Sequence, residues 1–77
     1  MSCQLLHRTD PDRNMARFYR VEVAPDLFGM VIVERRWGRI GGRGQGKSVS
    51  FATLPSAQDA ASRMVAAKQR RGYRVMP

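Results

Sequence analysis

Cysteine is nearly missing from this sequence, and histidine with it. The single Cys3 rules out an internal disulfide. Together with the single His7 it leaves too few ligands for a zinc site, which takes about four, so no metal or other cofactor is expected. One histidine also leaves no Ser–His–acid set, and no pair of carboxylates stands out, so acid–base and nucleophilic catalysis have no candidate groups. Long apolar runs are lacking too: Met30-Val31-Ile32-Val33 falls far short of the roughly 20 residues that span a bilayer. The first residues carry Arg8, Asp10, Asp12 and Arg13 rather than a sustained apolar stretch, so no signal peptide is expected and the expected location is the cytoplasm. Repeats and linkers are absent. Residues 1 to 77 are expected to form one domain, and a chain this short buries only about 60% of its unfolded surface. Its core must be thin, and a deep catalytic cleft is not expected.

Acid is also scarce. Six carboxylates face 14 Lys and Arg, for a net charge of +8. Twelve of these cations are arginine and two are lysine. The planar guanidinium suits phosphate oxygens and stacks on flat groups, so the bias favours an anionic partner, although a GC-rich genome produces the same bias. A small, strongly basic domain points to nucleic acid first.

The apolar pattern reads as a sheet with one helix. Residues 3 to 8 make a short first strand, ended by the turn formers Thr9 to Asn14. Arg17 to Val23 alternates, with Tyr19, Val21 and Val23 on one face and Arg20 and Glu22 on the other. Ala24-Pro25-Asp26 supplies a turn. Gly29 to Ile40 is the next strand, in which Val31, Val33, Arg35, Trp37 and Arg39 share a face. Ser48 to Thr53 alternates again, with Val49 and Phe51 inward. Ser56 is the expected helix N-cap, Ala57, Ala60, Ala61, Met64, Val65 and Lys68 the buried stripe, and Gly72 the stop. Tyr73 to Met76 forms a last short strand. The expected fold class is α+β: a small antiparallel β-sheet of four or five strands with one α-helix packed on one face.

Gly41 to Ser48 (GGRGQGKS) matches the phosphate-loop pattern, which works when a helix follows the loop. Here the following residues alternate and run into Pro55, so a strand is expected and nucleotide hydrolysis is not. The glycines then serve either an anion-binding nest or a flexible hairpin tip.

Arg35-Arg36-Trp37-Gly38-Arg39 is the most distinctive segment. Five cations and no acid lie between Arg35 and Lys47. A lone Trp ordinarily joins the core. One flanked by arginines can instead stack on a sugar or base while the cations hold phosphates. Arg35, Arg36, Arg43 and Lys47 are the candidate phosphate contacts, with Trp37 as the stacking group and Gly38 and Arg39 completing the site.

Trp37-Gly38-Arg39-Ile40-Gly41 followed by Gly44-Gln45 resembles the signature of the WGR domain. Asn14 with Phe18-Tyr19 before it, and Phe51 with the helix from Ser56 to Gly72 after it, extend the resemblance over most of the chain. The resemblance implies a small antiparallel sheet with one helix. In the DNA-damage-responsive poly(ADP-ribose) polymerases this domain helps bind DNA ends, its Trp packing against the terminal sugar and its Arg linking it to neighbouring domains. Carried over, those roles fall on Trp37 and Arg39. These residues include no ADP-ribosyltransferase domain and no zinc fingers, and the Lys-, Asn- and Trp-bearing stretch of the polymerases is not evident in the helix. The expected partner is DNA at ends, nicks or exposed backbone, without sequence specificity. RNA satisfies the same stacking and phosphate contacts. An alternative is a protein partner docked on the Trp37–Arg39 surface, since aromatic and arginine patches also make protein hot spots.

Overall fold

The structure is a computed structural model that describes residues 2–77. Strands β1 (Ser2–Asp10), β2 (Met15–Pro25), β3 (Val31–Arg39) and β4 (Gln45–Phe51) follow one another as an antiparallel meander. Helix α1 (Leu54–Arg70) then crosses one face, and β5 (Arg74–Val75) returns to pair with the free edge of β1. The sheet order is β4-β3-β2-β1-β5. This is the expected α+β fold with five strands.

Register follows from side-chain parity. Leu6 pairs with Tyr19, Tyr19 with Trp37, Val23 with Val33 and Val31 with Phe51, which puts the apolar residues of four strands on the helix side. Leu6, Val23 and Val33 are fully buried there, each worth about 1.5–3 kcal/mol relative to exposure. Ala57, Ala61 and Val65 bury the facing helix stripe. Alanine at two of these positions lets the helix sit close to the sheet.

The strand ends shift by up to three residues from the sequence reading, β1 running on through Thr9 and Asp10, and three departures have a clear physical reason. The chain reverses after Pro25 rather than at it. Asp26 Oδ1 accepts hydrogen bonds from the backbone of Phe28 (2.8 Å) and Met30 (2.9 Å), so the side chain of Asp26 organises the turn. β4 begins at Gln45, inside the glycine-rich stretch, and its Val49, though inward and paired with the buried Val33, is 43% exposed at the sheet edge. The helix leaves β4 before it covers this edge strand fully. The N-cap is Thr53, whose Oγ1 accepts from Ser56 N at 3.3 Å. Ser56 lies in the first turn because Pro55 is tolerated at a helix start, where its missing N–H costs nothing.

Candidate nucleic-acid interface

The helix does not reach the end of the sheet. β2 and β3 keep their parity past the core, so Arg17, Tyr19, Arg35, Trp37 and Arg39 share the helix-side face. The last helical turn brings Lys68 over this surface. Its ammonium lies 4.8 Å from the Tyr19 ring centroid and 5.3 Å from that of Tyr73, and the two tyrosines meet edge to face at 6.4 Å. The Arg35 guanidinium lies 5.7 Å from the Trp37 ring. The Arg35 Nε is buried without an acceptor beside this cation–π contact.

Trp37 serves both readings given to it. It packs against the core and is half-buried, yet it also lines two clefts. The larger, about 460 Å³, lies between Trp37, Arg17, Arg39, Lys68 and Tyr73. The smaller, about 210 Å³, lies between Tyr19, Arg35, Trp37 and Lys68. A third, about 310 Å³, continues from Arg35 and Lys68 towards Arg71. All three meet at Lys68.

The electrostatics of this surface are one-sided. The pKa of Lys68 is held below the ordinary 10.5 by burial first, and then by Arg71, Arg35 and Arg17. Cross-strand neighbours are also like-charged: Arg17 faces Arg39, and Arg35 faces Lys47. Such pairs destabilise a sheet. Four of the six acids are paired elsewhere. Arg20 takes Glu22 (3.3 Å) and Glu34 (3.9 Å) on the opposite face, Asp10 takes Arg13 (3.6 Å), and Asp59 takes Arg63 (3.0 Å). Among the described residues no ion pair involves Arg17, Arg35, Lys68 or Arg71. Four cations thus crowd around rings with no carboxylate to balance them.

The residues singled out in the sequence separate into two groups. Arg35, Trp37, Arg39 and Lys47 lie on the helix-side face. Arg36 has the opposite parity, crosses Gly46 and donates to the Arg43 carbonyl at 3.0 Å, so this pair lies away from the Trp37 clefts. Gly38 is a packing position: a Cβ there would lie 2.7 Å from the Cα of Gly44. In the loop, the N–H of Ile40 continues the β2–β3 pairing to Ala16 O and that of Gly42 closes the turn onto Arg39 O, so two of its donors are already used. Ser48 follows Lys47 within β4, and no helix N-terminus faces the phosphate-loop residues.

Sequence reasoning missed Arg17, Lys68, Arg71 and Tyr73. The legible signal for Lys68 was its place on the apolar stripe of the helix, where a cation has no structural reason to be. Arg17 shares parity with Tyr19 and Val21. Arg71 and Tyr73 carried no comparable signal, because the chain leaves the helix there.

Comparison with known proteins adds three findings. The family model described as the WGR domain matches residues 2–77. A Sinorhizobium fredii (strain NBRC 101917 / NGR234) protein described as uncharacterized protein y4dW is 40% identical over 72 residues, which is 94% of this chain and 35% of that one. This chain therefore spans about a third of the length of that curated relative. A crystal structure from Bacteroides fragilis matches 99% of this chain and 20% of its own at a TM-score of 0.82 and 21% identity, a likeness of fold.

Proposed function

This chain belongs to the WGR domain family, and from that premise we propose that it binds nucleic acid, without catalysis, through the face around Trp37. The observation that carries the reading is the group of four unbalanced cations, Arg17, Arg35, Lys68 and Arg71, gathered at Tyr19, Trp37 and Tyr73. Trp37 offers a stacking surface, the buried rings of Tyr19 and Tyr73 hold Lys68 beside it, and each cation offers a phosphate contact. Polyanion binding removes the repulsion that the folded protein otherwise bears. The partner we assign is DNA at ends, nicks or exposed backbone in the cytoplasm. The larger cleft is walled by Lys68 and Tyr73, so an interrupted strand presents its sugar to Trp37 more readily than a continuous duplex. Arg39 and Lys47 extend the phosphate contacts. Sequence specificity is not expected, because stacking and phosphate contacts read no base edges.

The test is a titration of the purified chain with blunt duplex, nicked duplex, single-stranded DNA and single-stranded RNA at two salt concentrations. Binding is expected to be micromolar or weaker at physiological salt, tightening steeply as salt falls. No detectable binding to any of the four at low salt removes the reading.

A further inference from the structure

The end of the molecule opposite the Trp37 clefts has a different chemistry. Leu27 is 96% exposed and Phe28 88% exposed, side by side at the tip of the β2–β3 hairpin. The tip is ordered by bonding rather than by packing. Asp26 N donates to Met30 O at 2.9 Å, and Asp26 Oδ1 accepts from both Phe28 N and Met30 N. Gly29 supplies the positive φ of +82° that closes the loop. Two large apolar side chains are thus held in water at a hydration cost that burial would recover, at roughly 25 cal/mol per Å².

We propose that the Leu27–Phe28 tip is a docking knob that inserts into an apolar pocket of a second folded protein. Three observations select this occupant. First, residues 2–7, 21–34 and 48–62 contain no Lys or Arg, and these segments all lie at the tip end of the sheet and helix. A wedge for nucleic acid or an anchor for an anionic lipid surface needs cations beside its apolar residues, and this end offers Asp26 at the tip instead, with Glu22 and Glu34 further back already paired to Arg20. Second, a second copy of this chain is a poor recipient. Two convex tips meeting end to end bury far less than the about 800 Å² per partner of a stable interface, and the concave surfaces described above are lined by cations. Third, the matched relatives carry this fold within chains that are mostly other polypeptide, since the match covers 35% and 20% of them. Each of those chains thus has further polypeptide for such a tip to meet. A rigid aromatic in a desolvated pocket is the usual form of a binding hot spot.

The inference is independent of nucleic-acid binding, and its test separates the two. Phe28 is replaced by a photo-crosslinking phenylalanine analogue in cells of the source organism, with and without Leu27→Ser. The crosslinked protein is then purified and titrated with the unmodified chain. We expect one protein to be crosslinked only when Leu27 is present, and its affinity to fall at least tenfold in the double variant Leu27→Ser/Phe28→Ser. The double variant should keep the parent melting temperature and DNA affinity. Absence of any Leu27-dependent crosslink overturns the proposal. So does loss of melting temperature in the double variant, which would make the tip a packing element. A parent dimer dissolved by the double substitution, co-sedimentation with phosphatidylserine vesicles lost in it, or a fall in its DNA affinity overturns the proposal in favour of self-association, lipid or nucleic acid respectively.

Discussion

Trp37 meets the core along one edge and two clefts along the others, so its truncation removes some packing and one stacking surface. Stacking on one nucleotide is worth roughly 1–3 kcal/mol, whereas a fully buried Trp would cost about 3–5 kcal/mol of stability. Trp37→Ala is therefore expected to weaken DNA binding about tenfold or more while the melting temperature falls by only a few degrees, as read by titration and thermal unfolding. Lys68 separates function from stability more sharply. Its pKa is lower in the folded chain than the ordinary 10.5, so the folded state gives up its proton first as pH rises. Between the two pKa values stability rises with pH, as the cost of holding a desolvated ammonium among arginines is relieved. Its help to an anionic ligand runs the other way, being complete at neutral pH and lost as pH climbs towards 10.5. Lys68→Met is expected to leave the melting temperature at pH 7 unchanged or raised, to weaken DNA binding, and to flatten the alkaline fall in affinity. A large drop in melting temperature would make Lys68 structural. Trp37 was legible because its arginine neighbours are adjacent in the chain. Lys68 gave only the hint of a cation on the apolar stripe, and Arg71 gave none, because the helix carries them across the sheet to this face from more than thirty residues away.

The strands and the helix followed from alternation and from the alanine stripe, since burial on one face leaves a period that needs no tertiary information. What alternation did not contain was the glycine hairpin. Five of the seven glycines lie between residues 38 and 46, and the sequence allowed either a loose tip or an anion nest. The structure distinguishes among the glycines. A Cβ on Gly44 would strike the Trp37 carbonyl oxygen and lie 2.8 Å from Phe18 Cζ, at a φ of +72°. A Cβ on Gly42 would meet only Arg39 O, at 3.4 Å. Gly44 thus locks β4 against the backbone of Trp37, with Phe18 beneath, and fixes how the ring is presented. Gly44→Ala is expected to cost about 1–3 kcal/mol, and each kcal/mol lowers the melting temperature of a domain this size by about 4–8 °C. Gly42→Ala should change it little. Equal melting temperatures for the two variants would return the hairpin to a loose tip. At the helix start, Thr53→Ala is expected to cost about 1 kcal/mol through loss of the cap, and Ser56→Ala less, since Thr53 Oγ1 satisfies the exposed N–H of Ser56.

Across the whole molecule the charge is sorted lengthwise. All 14 Lys and Arg fall in residues 8–20, 35–47 and 63–74, and the antiparallel arrangement stacks these segments at one end of a body 45 Å long. Net charge predicted an anionic partner, and topology determines where that charge acts. If Arg17, Arg35, Lys68 and Arg71 each neutralise a phosphate, the logarithm of the duplex association constant should fall with the logarithm of salt at a slope of about −3 to −4. Removing a contacting cation should reduce that slope by about one. Arg17→Ala and Arg71→Ala are the direct tests. Arg36→Ala is the informative contrast, because Arg36 has the same charge and lies one residue from Trp37, but on the face turned away from the clefts. A binding face confined to the helix side leaves its slope at the parent value. Slopes reduced equally by Arg17→Ala and Arg36→Ala would mean that the polyanion responds to the basic end as a whole, and the cluster around Lys68 would lose its special standing.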